Sequence, residues 1–201
     1  MTDRQILWGL SNGVTVFALS GAFWVGLGIA MAARVHWLVP TLGTVVQFAG
    51  CMILIWAAVR LRRKSGFRRA DIRAQAGRDQ AETRHIQGWL LWTMLAQTVL
   101  IGVAVWACVR GHAESRIWPS IALTVSLHLV PLARIFHVRA YYGTAVTGTI
   151  VAVASLVAPS GTYTVPALGA AMAVVMWLSA LYLLAQAESL AKRAKHEKWA
   201  I

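Results

Sequence analysis

Long apolar runs separated by short polar stretches dominate the chain. A helix rises about 1.5 Å per residue and a hydrocarbon core is roughly 30 Å thick, so an almost uncharged run of about 17 residues or more is the mark of a spanning helix. Six such runs occur, at 6–33, 38–59, 88–109, 117–136, 142–158 and 164–186, and none contains Asp or Glu. The pattern predicts an all-α, polytopic integral membrane protein, a single domain over 1–201 with six transmembrane helices. Ala30-Met31-Ala32 resembles a signal-peptidase site, but the apolar run before it far exceeds the ~7–15 residues of a signal core and only Arg4 charges its start. The first run is therefore read as a retained span.

The even-numbered spans all open near a proline, in Val39-Pro40-Thr41-Leu42-Gly43, Trp118-Pro119-Ser120-Ile121-Ala122 and Val165-Pro166-Ala167-Leu168-Gly169. Proline suits the first helical turn, where its missing N–H would have had no intrahelical partner. The spans thus fall into three helical hairpins. Similar turns account for the recurrence, and triplication of one hairpin is the sharper alternative.

Composition agrees with the pattern: 58% of residues are hydrophobic, 13% are charged, and the mean hydropathy is +0.61. The net charge of +12 looks like that of a nucleic-acid binder until its location is considered. With Arg134 counted in the segment it adjoins, the seven segments outside the spans carry one, one, nine, two, two, none and four Lys or Arg, sixteen on one side against three on the other. The positive-inside rule then places both termini in the cytoplasm, and the orientation itself explains the basic excess without nucleic acid. Trp8, Trp56, Trp89, Trp92, Tyr141, Tyr142 and Tyr182 fall toward the inner ends of the spans, while Trp37, Trp106, Trp118 and Tyr163 fall toward the outer ends, as interfacial aromatics should. Trp177 is the exception.

The connection at 60–87 is a basic cytoplasmic loop, and 187–201 is a basic tail containing Lys192, Arg193 and Lys195. Nine basic and three acidic residues give 60–84 a local charge of +6. Composition allows either a short surface helix or a disordered segment. Arg62, Arg63, Lys64, Arg68 and Arg69 are candidates for anionic lipid headgroups, since juxtamembrane Lys or Arg attracts such lipid by about 1 kcal/mol each. Docking of a protein partner is the alternative use of this loop.

Inside the spans, His128 is the most polar residue. It lies nine residues beyond Pro119, about 14 Å deep and near the bilayer centre. Pro131 leaves the Leu127 carbonyl without its i+4 donor, so a kink and a free acceptor are expected beside the imidazole. Arg134 lies about one further turn along and can snorkel. Gln97 and Trp177 come to similar depth, with Gln47 nearer the outside. Together these residues form either a polar pathway for a small-molecule ligand or interhelical hydrogen-bonding glue.

Other chemistry finds little support. His128 has no partner histidine at its depth for haem, no H-E-x-x-H or interior carboxylate suggests a metal site, and no G-x-S-x-G marks a serine nucleophile. No cofactor and no metal are expected. Cys51 and Cys108 form no C-x-x-C and read as small buried hydrophobes. Small residues four apart, Gly9 and Gly13, Ala22 and Gly26, and Thr144 and Gly148, permit close helix approach within one bundle or between two copies, so the oligomeric state stays open.

His128-Leu129-Val130-Pro131-Leu132-Ala133-Arg134-Ile135-Phe136, followed by Tyr141-Tyr142, resembles a segment of small, uncharacterised six-span bacterial membrane proteins known only as a domain of unknown function. That resemblance, with the small size and the excess of Arg over Lys, implies a six-helix bundle of the bacterial cytoplasmic (inner) membrane. It implies no activity. Three classes of function remain: a transporter or channel-like bundle for a small solute or lipid, a structural or regulatory subunit docking through the basic loop, and an intramembrane enzyme resting on His128 alone. The orientation is directly testable in a background lacking Cys51 and Cys108. Ser160→Cys should react with an impermeant thiol reagent from outside, and Ser65→Cys only after the membrane is opened.

Overall fold

The computed structural model describes residues 3–32, 38–64, 80–136, 138–159, 161 and 163–197; side chains at 3–9, 11–12, 38–43, 61–62, 64, 80–87 and 191–197 lie outside the description. Among the described residues the chain is all helix and turn. The helices are α1 (Asp3–Ala32), α2 (Leu38–Lys64), α3 (Gln80–Arg110), α4 (Ile117–Phe136), α5 (Arg139–Val157) and α6 (Thr164–Glu197), with a 3-10 turn at Glu114–Arg116 before α4. Every expected span is a helix. Several helices run past their apolar stretch: α2 through the basic residues to Lys64, α3 from Gln80, and α6 to Glu197. Hydropathy registers where lipid ends, whereas these polar extensions are rich in Ala, Glu, Lys, Arg and Gln, which sustain a helix in water. The ends of the basic connection are therefore helical, and Arg68 and Arg69 lie outside the described residues.

Five helices are long and apolar enough to cross a membrane, while the apolar stretch described for α2, Thr44–Arg60, is shorter. Pro40, Pro119 and Pro166 each occupy the third residue of their helix, in the first turn, where no intrahelical donor is lost. Pro131 lies inside α4.

The expected hairpins α1–α2, α3–α4 and α5–α6 all pack as pairs, but the most extensive contact joins α1 to α6, the first helix to the last. The α4–α5 contact links the remaining pair, so the helices run in the spatial order α2, α1, α6, α5, α4, α3, with lighter contacts of α2 and α4 on α6. The fully buried side chains cluster on the central helices: Val14 and Trp24 from α1, and Leu168, Met172, Met176 and Leu183 from α6. The two end helices are mostly bare. No residue of the apolar window of α3 is buried, and Trp92 and Trp106 are 70% and 65% exposed. An outer surface of this kind, with Phe48, Met52, Val99 and Leu100 also exposed, is suited to hydrocarbon.

What brings α1 and α6 together is the absence of side chains where they cross. A methyl group at Gly169 would lie 2.7 Å from the Trp24 carbonyl oxygen and 2.9 Å from the Gly28 Cα, so two backbones touch there. In lipid, where apolar burial gives little net drive, such close approach and its dispersion contacts hold helices together. The small-residue pairs seen in the sequence act within the bundle too: Gly13 receives the Tyr141 hydroxyl and Leu183, Gly26 faces Gln47, and Gly148 faces Ser126. We expect Gly169→Ala to cost about 1–3 kcal/mol, the usual penalty for overfilling a packed interior. Gly102→Ala on α3, where nothing lies within 4 Å, should instead be neutral or stabilise by up to about 1 kcal/mol. Thermal unfolding in detergent distinguishes the two.

Candidate functional site

The six candidate interior residues separate into two places. Gln47 and Trp177 meet on α1. The Gln47 amide donates from Nε2 to the Ala22 carbonyl at 2.8 Å, and the Trp177 indole N–H donates to the Ala18 carbonyl, one turn away, at 3.3 Å. The indole lies over Gly21 of α1 and against Gly50 of α2, positions where any Cβ would collide with it. Both polar groups are satisfied by backbone from a neighbouring helix, and the α1–α2–α6 junction is packed around them. These two residues fit the packing-glue alternative.

His128 and Gln97 belong to the other end of the row. On α4, the buried positions Pro119, Ala122, Ser126, Leu129 and Ala133 recur at three- and four-residue steps. Ser126, on that buried face, lies against Gly148 of α5. His128 is two residues on from Ser126, about 200° around the helix, and its ring reaches the backbone of Thr93 on α3. Its Nε2 is buried and, among the described residues, has no hydrogen-bond partner. Gln97 is half-buried one turn from Thr93 on the same face of α3, and no hydrogen bond joins it to His128. Further along this seam the Cys108 thiol and the Ser120 hydroxyl approach to 3.8 Å, and the Thr124 hydroxyl donates to the Ser120 carbonyl. Ser120, Thr124 and His128, spaced by four, make one polar line on α4.

Pro131 is half-buried one turn past His128, and the carbonyl of Leu127 has no N–H four residues on to accept from. Arg134 is exposed in the last turn of α4, apart from the seam. Of the headgroup candidates, Arg63 is exposed, and the side chains of Arg62, Lys64, Arg68 and Arg69 lie outside the described residues.

Sequence reading passed over other polar contacts. The Thr144 and Ser179 hydroxyls pair at 2.6 Å across α5 and α6 while also bonding the Ala140 and Val175 carbonyls. Tyr141 is buried with edge-to-face contacts to Phe17 at 5.3 Å and Phe136 at 6.2 Å. Only a known helix pairing would have shown that Thr144 and Ser179 meet. The four-residue spacing of Ser120, Thr124 and His128, by contrast, was readable from the sequence.

The Ser126 hydroxyl donates to the Ala122 carbonyl on the face opposite the imidazole, so it forms no Ser–His pair with His128. Among the described residues no three His, Cys, Asp or Glu side chains stand close enough to hold a metal ion. A shallow groove of about 410 Å³ lies between α5 and α6, lined by Ala154, Ser155, Ala158, Tyr163, Thr164 and Ala167, and none of the six candidates borders it. The chain matches no family model, no curated protein and no solved structure.

The contrast between the two places predicts different mutational costs. Gln47→Leu removes a made interhelical bond and should destabilise by about 0.5–2 kcal/mol. His128→Leu removes an unpartnered Nε2 along with the ring's contact to the Thr93 backbone, and should cost less than Gln47→Leu, because replacing an unsatisfied buried polar group by an apolar one offsets the lost contact. Equal losses in detergent melts would make the histidine a packing tie as well.

Proposed function

We propose that the chain is a multi-pass protein of the bacterial cytoplasmic membrane, with all six helices spanning and both termini inside, that works as a transporter or channel-like bundle for a small solute or lipid along the α3–α4 seam at His128. The carrying observation is the buried, unpartnered Nε2 of that histidine. An orphaned polar group in hydrocarbon costs several kcal/mol, so a bundle keeps one where something else supplies the missing partner. Gln47, Trp177, Ser126, Thr144 and Ser179 all have partners inside the protein. At His128 the contrast is Nε2 alone, since the ring also meets the Thr93 backbone, and the Leu127 carbonyl beside it is a second group that a ligand can complete.

The covering helix supports the same reading. α3 contributes no buried residue from its apolar window and packs mainly on α4, so a small displacement would open the seam sideways without disturbing the α1–α6 contact. With no carboxylate at the seam, the solute would be carried without carboxylate-based proton or cation coupling.

The alternative, a structural or regulatory subunit docking through its basic loop, draws support from Gln47 and Trp177, two of the six interior candidates, which serve as ties within the bundle. The two readings differ in whether the seam is wet. Gln97→Cys in sealed vesicles should react with a small hydrophilic methanethiosulfonate reagent within minutes if a pathway runs past His128. A cysteine that stays unmodified for hours would mean a dry seam and would favour the subunit reading.

A further inference from the structure

The exposed face of α2 carries a gradient in its side chains. Val45, Phe48, Met52 and Trp56 follow one another at three- and four-residue steps and are 61–64% exposed. Arg60 and Arg63 continue the same line at the next steps and are exposed too. The apolar stretch of the helix ends at Arg60, yet the helix continues to Lys64. The opposite side of α2 is engaged by α1 through Gln47.

Two details make this more than a basic helix end. The Arg60 guanidinium lies over the Trp56 ring, 5.2 Å from its centroid. A guanidinium held over an indole face is restrained while it keeps N–H groups to donate, which suits a phosphate taken by two hydrogen bonds. The helix supplies no counter-charge of its own: 38–64 contains no acidic residue, and Arg60, Arg62, Arg63 and Lys64 follow in five positions.

We infer that this face holds one anionic phospholipid, its phosphate between Arg60 and Arg63, its glycerol region beside Trp56 and an acyl chain along Met52, Phe48 and Val45. Length supports a lipid over a free anion. From Phe48 to Arg60 the helix rises about 18 Å, close to the depth of one leaflet with its headgroup. Charge complementarity supports an anionic lipid over a zwitterionic one, whose own cation would meet the arginines. The assignment rests on α2 lying in the membrane with Arg60 at the cytoplasmic surface, and it is independent of the His128 seam.

The test is native mass spectrometry of the whole protein released from micelles containing equal phosphatidylglycerol and phosphatidylcholine. The wild type should keep one phosphatidylglycerol. In R60Q/R63Q its retention should fall about thirty-fold, the loss expected for two juxtamembrane arginines, and Trp56→Leu should lower it about five-fold by removing the stacked ring. R110Q/R116Q, which removes the same charge from the far end of the α3–α4 hairpin, should leave retention unchanged. Equal loss in both double variants, or equal retention of phosphatidylcholine, would overturn the site. Outside-only labelling of Ser160→Cys in sealed vesicles would show that the membrane orientation survives that failure.

Discussion

Two glycines on helices from opposite ends of the sequence set the architecture. Where Gly28 of α1 meets Gly169 of α6, neither helix has a side chain to keep the other away, and backbone rests on backbone. In water a larger apolar pair would do as well, because burial itself is favourable. In lipid the tails solvate leucine as well as a neighbouring helix does, so the closeness of approach decides which helices pair. The crossing brings Trp24 and Leu168 into the interior, lets Trp177 settle on Gly21 and reach the Ala18 carbonyl, and leaves the other helices to pack outward from this pair.

Outward from that pair the bundle changes character. The α1–α2–α6 junction satisfies the polar groups described there with a backbone carbonyl, and α5 and α6 share a hydroxyl pair. At the far end, α3 leans on α4 through a line of Ser120, Thr124 and His128 that lacks a partner at Nε2. One half is built as a fixed scaffold and the other retains an unmet polar requirement.

Helix number, hairpin pairing and the first-turn prolines were all legible in the apolar pattern, because lipid imposes a length and a composition that no tertiary contact overrides. The position of each polar residue along its helix was legible too, since sequence number fixes a height along the axis. Rotation about the axis was not. Gln47, Gln97, His128 and Trp177 all fall in the inner stretches of their apolar runs, yet the first and last turn toward α1 while the middle two belong to the α3–α4 hairpin. A hydropathy pattern is nearly uniform around a helix that faces lipid on one side and small apolar residues on the other, so it holds little record of direction. The same blindness hid Gly28 and Gly169, because small residues four positions on, Ala32 and Ala173, make them look like the many other such pairs in the chain. Their meaning exists only between helices.

The pairing of α1 with α6 also governs the order of assembly. The first helix emerges from the ribosome long before its principal neighbour, on the order of ten seconds earlier at ~5–20 residues per second. Through that interval the backbone stripe at Gly28 has no mate, while the α3–α4 hairpin, whose contacts are close in sequence, can already form. The tightest joint of the bundle is therefore among the last that the emerging chain can make. A nascent chain halted before α6 would present to the insertion and quality-control machinery a bare glycine surface that the finished protein never shows.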